Sequence, residues 1–105
     1  MAGTVIVITT EEKVREVPLK GDTLHFLYEQ IGCSTVDCVR LADGLDMWVD
    51  DEGLYTSEVN WLATMLAHTF GFLGEAIYGD VVLADGNSEG ETIALSDEAL
   101  FALIG

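Results

Sequence analysis

Apolar residues along this chain recur with two periods, and the switches between them mark alternating extended and helical segments. Val5 to Thr9 is a β-branched run, Thr10-Glu11-Glu12-Lys13 interrupts it, and Val14 to Leu19 resumes it, which predicts a hairpin. Pro18 lacks a backbone N–H and so suits a sheet edge or a strand end. Asp22 or Thr23 can cap a helix in which Leu24, Leu27, Tyr28 and Ile31 fall at i, i+3, i+4 and i+7, with Gly32 as its stop. Thr35 to Leu41 and Leu45 to Asp50 predict a second hairpin, because Asp43-Gly44 tolerates the positive φ angles of a type I′ turn. In its return strand Leu45, Met47 and Val49 alternate with Asp46, Trp48 and Asp50, so one face is expected in the core and the other wet and acidic.

Ser57 or Asn60 can cap a second helix, whose stripe is Val59, Leu62, Ala63, Leu66 and Phe70 and whose end is Gly71. Trp61 and Met65 fall on a neighbouring face and widen the apolar surface, as in a helix that is sandwiched or that holds part of an interface. Ile77 to Ala84 and Glu91 to Leu95 predict a third hairpin around the 85–90 loop. Ser96, Asp97 and Glu98 then supply a cap and two carboxylates at the positive end of a short closing helix, Ala99 to Ile104. The order is ββαββαββα. It predicts a single α+β domain over residues 1–105, with antiparallel hairpins packed against helices and an opening ββα that resembles ubiquitin-like folds. Strand order is not fixed by the pattern.

Half of the 105 residues are apolar, which is enough to fold the chain despite a formal charge of −15. That charge is unevenly placed. From Leu41 to Gly105 there is no lysine or arginine, while 13 of the 19 acids lie there, and all four bases (Lys13, Arg15, Lys20 and Arg40) precede it. An anionic surface is repelled by phosphate and by anionic lipid, so direct nucleic-acid or membrane binding is disfavoured. No apolar run approaches the ~20 residues of a bilayer span and no signal sequence opens the chain, which makes the cytoplasm the expected location.

Chemistry-bearing motifs are sparse. Cys33 and Cys38 lack CxxC spacing and are expected to be reduced, small hydrophobes. Asp85 to Gly90 begins like a calcium loop, but Thr92 and Ser96 stand where its eighth and twelfth positions need an apolar residue and a bidentate Glu, which favours a polar hairpin loop. Asp43, Asp46, Asp50, Asp51 and Glu52 form the densest acidic cluster, without the positioned third group that acid/base or metal chemistry requires. Asp80, beside the apolar Val81-Val82-Leu83, is expected to be partly buried and structurally hydrogen-bonded. His25 and His68 stand alone on the two long helices, and no phosphate, dinucleotide, nucleophile-elbow or HExxH motif occurs. The expectation is a protein that is not an enzyme and needs no cofactor or metal.

The segments Val39-Arg40-Leu41-Ala42-Asp43-Gly44-Leu45-Asp46-Met47-Trp48-Val49, Asp51-Glu52-Gly53, Asn60 with Leu62-Ala63-Thr64, and Gly79-Asp80-Val81-Val82-Leu83 resemble a small uncharacterised domain family common in actinobacterial phages, plasmids and genomes. The resemblance covers Val36 to Ile104 and implies a mobile-element setting, with no activity to carry over. A proline often follows the position of Asn60 in that family; Trp61 stands there in this chain.

Charge and aromatics together nominate Asp46, Trp48, Asp50, Asp51, Glu52 and Trp61 as a partner-binding surface. Its expected partner is a basic protein, engaged by a surface that imitates nucleic acid and so blocks a DNA-processing or defence factor. The alternative is a structural or homodimerisation module, joined through Trp61 and Met65, whose acidity reflects solubility or salt adaptation.

Overall fold

The apolar run Val81-Val82-Leu83-Ala84 is buried on both sides, as expected of a strand at the middle of a covered sheet. In the computed structural model, which describes residues 3–53, 57–86 and 92–104 (without the side chains of 101, 102 and 104), it occupies that place. The elements are β1 (Thr4–Ile8), β2 (Val14–Pro18), α1 (Thr23–Ile31), β3 (Val36–Ala42), β4 (Leu45–Asp50), α2 (Trp61–Thr69), β5 (Val81–Gly86), β6 (Thr92–Ile93) and α3 (Asp97–Ile104). The sheet runs β2-β1-β5-β4-β3, with β6 paired to the end of β5, and every pairing is antiparallel. The fold is thus α+β in the expected order, with Pro18 on an edge strand.

Alternation sorts the apolar residues to two cores. Ile6, Ile8, Leu45, Met47, Val81 and Leu83 pack with Ala63 and Ala67 of α2, and Ala99, Leu100 and Leu103 of α3 close over them. On the opposite face Val5, Val7, Val82 and Ala84 meet Phe26, Leu27 and Ile31 of α1. Burying each large side chain contributes about 1.5–3 kcal/mol, so both faces stabilise the sheet.

Local details depart from expectation for identifiable reasons. The inward arc of α1 includes the bulky Phe26, and Leu24 is left 48% exposed. Asp22 caps this helix through Leu24 N–H (3.1 Å), and Gly32 ends it at φ 77°. In the β3–β4 hairpin only Gly44 takes a positive φ (82°), and the register shifts between Arg40 and Ala42. That is a bulged turn rather than the type I′ turn expected. The third hairpin starts at Val81 instead of Ile77, because Gly79 (φ 81°) turns the chain after Tyr78 bridges Val59. Most of the calcium-like 85–90 stretch lies outside the described residues.

Strand β4 departs furthest from the expected alternation. Its second face is not wet: α1 covers part of it, Trp48 packs against the α1-side core, and Asp46 is only 5% exposed.

Antiparallel registers bring Ile8, Val36, Asp50 and Val81 to one end of the sheet, the Asp50 end, and the Asp43-Gly44 turn to the other. Asn60, fully buried, ties the Asp50 end together. Its Nδ2 donates to the carbonyls of Ile8 (3.0 Å) and Gly79 (2.9 Å), and its Oδ1 accepts from Ala63 N–H at the start of α2 (3.0 Å). Asp80 adds a second tie by accepting from Thr10 N–H (3.0 Å), the structural role expected of it.

Candidate functional site

The nominated surface residues separate into an interior pair and an exposed end. Arg40 and Asp46 stand directly opposite on β3 and β4. Arg40 Nη2 donates to Asp46 Oδ2 at 3.3 Å, and Nε lies 3.0 Å from Oδ1 but off its N–H axis, an ionic contact without a second hydrogen bond. The most central acid of the cluster therefore has its own counter-ion and is withdrawn from solvent. Trp48 is half-buried on the same face, with an Nε1–H that is buried without a hydrogen-bond partner among the described residues.

Cys38 faces Trp48 across the β3–β4 ladder and is exposed, against the expectation of burial, while Cys33 is half-buried and both are free thiols. Loss of hydration, followed by the nearby Asp46 carboxylate, pushes the Cys38 thiol from 9.0 up to about 11, with Arg40 opposing. Burial and Asp50 raise Cys33 in the same direction. Because the thiolate is the nucleophile, and a thiolate of higher pKa is also the stronger nucleophile, alkylation of Cys38 in a Cys33→Ser background should be roughly tenfold slower at pH 8 than for an ordinary thiol. The rate should climb steeply toward pH 11; iodoacetamide labelling followed by mass spectrometry measures it.

Asp50, Asp51 and Glu52 lie where β4 leaves the sheet. Asp50 Oδ1 accepts from Glu52 N–H (2.9 Å), and Asp51 N–H bonds the Thr35 carbonyl (3.2 Å), which fixes the turn. An open cleft of about 450 Å³ separates Asp50 and Glu52 from Gly32, Cys33 and Ser34 at the end of α1. The chain then folds back on itself: Ser57 N–H bonds Gly53 O (2.9 Å), Gly79 N–H bonds Glu58 O (2.8 Å) and Asn60 N–H bonds Ile77 O (2.7 Å). These bonds bring Glu58 and the segment containing Glu75 to the same end, two exposed acids that sequence reasoning did not place there. No local signal could have found them, since long-range contacts such as those of Asn60 and Gly79 unite the segments. The β1–β2 turn adds Glu11 and Glu12 with Lys13 at this end.

Trp61, at the first position of α2, is 60% exposed here. It belongs to the layer opposite Trp48, so the two tryptophans do not form one anchor. Met65 is 64% exposed, which shows that this helix face is not sandwiched. His25 lies 3.5 Å from Glu29 on the surface of α1, and His68 is exposed near the end of α2. Among the described residues no group of three or more His, Cys, Asp or Glu side chains is placed to hold a metal ion. No helix among them is long and apolar enough to cross a membrane.

With a net charge of −15 and one interior ion pair among the described residues, like-charge repulsion dominates the surface. Raising NaCl from low to moderate concentration at pH 7 should therefore raise the melting temperature. A salt-independent melting curve would show that the acids are too dispersed to act on one another.

No curated protein and no solved structure matches the chain. A family model matches residues 2–104, which extends the resemblance of the Val36 to Ile104 portion back through the first hairpin and α1. The chain belongs to the family that this model describes, Domain of unknown function (DUF3846).

Proposed function

We propose that this chain is a non-catalytic binding protein of the cytoplasm whose Asp50 end engages a basic protein surface. The observation that supports it is the company of Trp61: a large, exposed aromatic emerges beside Glu58, at the same end as Asp51 and Glu52, in a region of sequence with no lysine or arginine. Solubility or salt adaptation accounts for acids but supplies no reason to expose a tryptophan among them. Tryptophan is enriched at binding hot spots, and the rim of an interface is polar. Carboxylates on a rigid frame also offer a DNA-binding cleft the closely spaced negative charge that it meets on a phosphate backbone. In the phage and plasmid setting that the family resemblance implies, such a surface would occupy and inhibit a host DNA-processing or defence factor.

Complementary charge speeds association and makes it sensitive to salt. Affinity capture from host lysate should therefore recover a nucleic-acid-binding protein at low ionic strength and release it at high ionic strength. Recovery of no basic protein at low salt would remove the main support for this function and favour the solubility module.

A further inference from the structure

We infer that the outer face of α2, with the segment that returns beside it, is the docking surface for an amphipathic helix of the partner that carries lysine or arginine along its flanks; this rests on the acidic-binding function proposed above and names the element engaged. Trp61 and Met65 lie four positions apart (i, i+4) and so stand one above the other on the helix surface. After α2 the chain doubles back along it, since Phe72 N–H bonds Ala67 O (3.0 Å) and Ile77 N–H bonds Thr64 Oγ1 (2.9 Å). That path sets Phe72, 42% exposed, and Leu73, 73% exposed, next to the helix. Scattered exposed apolar side chains are ordinary, but a row of them along one helix and its flanking segment marks an interaction surface.

The face is pre-organised, because Ala63 and Ala67 lock the inner side of α2 into the core and Asn60 fixes its start. Little order then has to be gained on binding. Nine helical residues extend about 13 Å, the length over which a partner helix presents apolar residues at i, i+4 and i+7. Charge selects between occupants. Glu58 precedes the helix and Glu75 lies on the return segment, so a second copy of this chain, itself at −15, would set like charges against each other. A helix with basic flanks meets opposite charge instead.

The test uses a Trp48→Phe background, so that fluorescence reports Trp61, and two synthetic leucine–lysine peptides of identical composition. One has leucines at i, i+3, i+4 and i+7; the other is scrambled. The amphipathic peptide should shift Trp61 emission to the blue and bind at least tenfold more tightly than the scrambled one, with the preference lost in Met65→Glu and in Leu73→Glu. Equal affinity for both peptides would overturn the docking face while leaving the acidic-binding function standing. Binding of neither would overturn both. Self-association in sedimentation that Met65→Glu abolishes would assign the face to a second copy and overturn the inference.

Discussion

Asn60→Ala should be among the most damaging single substitutions in the folded core. The side chain is fully buried and makes hydrogen bonds to Ile8 O, Gly79 O and Ala63 N–H, groups from a strand, a turn and a helix. Alanine leaves all of them without that partner in a site closed to water. Each such loss costs about 1–3 kcal/mol, so even the low end of that range totals about 3 kcal/mol. For a domain of this size one kcal/mol moves the melting temperature by about 4–8 °C, and the expected drop is on the order of 20 °C. Asn60→Asp should fare no better, although it keeps the acceptor that caps α2, because it sets a carboxylate against two carbonyl oxygens in place of an amide donor. Circular-dichroism melts of both variants decide the matter. A loss below about 5 °C for Asn60→Ala would show that the Asp50 end is held by other contacts.

Arg40→Met should also be damaging, through the charge that it strands. Asp46 is nearly inaccessible, and its partner on the neighbouring strand supplies both the Nη2 hydrogen bond at 3.3 Å and the Nε contact at 3.0 Å. Removing one member of a buried pair typically costs about 3–5 kcal/mol. Arg40 is itself more than half exposed, so solvent screening lowers the expected loss to about 2 kcal/mol. The double variant Arg40→Met/Asp46→Leu should recover much of that loss, since replacing a whole buried pair with apolar groups is often neutral. Chemical denaturation of the wild type, both single variants and the double variant gives the coupling directly. A double variant as unstable as the sum of the singles would deny that the two side chains act as a pair.

These two sites also show how far the sequence could be read. Asn60 was one of two candidate helix caps, with Ser57, because capping is local and signalled by a small polar residue just ahead of a helical run. Its bonds to Ile8 and Gly79 were invisible, since they depend on which strands the fold brings to its side. Period-two alternation placed Met47 in the core correctly, but it could not reveal that a helix covers the other face of β4 as well. Asp46 therefore looked like surface and proved to be an interior ion pair. The turn and cap residues Asp22, Gly32 and Ser96 did what their chemistry suggested, whereas Glu58 and Glu75 joined the acidic end only through long-range pairing. Local chemistry was legible, and the surface, which is a product of topology, was not.

A binding surface at the Asp50 end requires that the place of the negative charge matter, and not only its amount. Two variants with the same net charge separate these possibilities. One neutralises the Asp50 end (Asp51→Asn, Glu52→Gln, Glu58→Gln, Glu75→Gln), and the other neutralises an equal number of exposed acids elsewhere (Glu16→Gln, Asp43→Asn, Asp97→Asn, Glu98→Gln). Capture of basic host protein at low salt, quantified for both against the wild type, should be lost in the first and retained in the second. Equal loss in the two variants would mean that the acidity acts as a diffuse cloud, and would contradict a binding surface centred on Trp61.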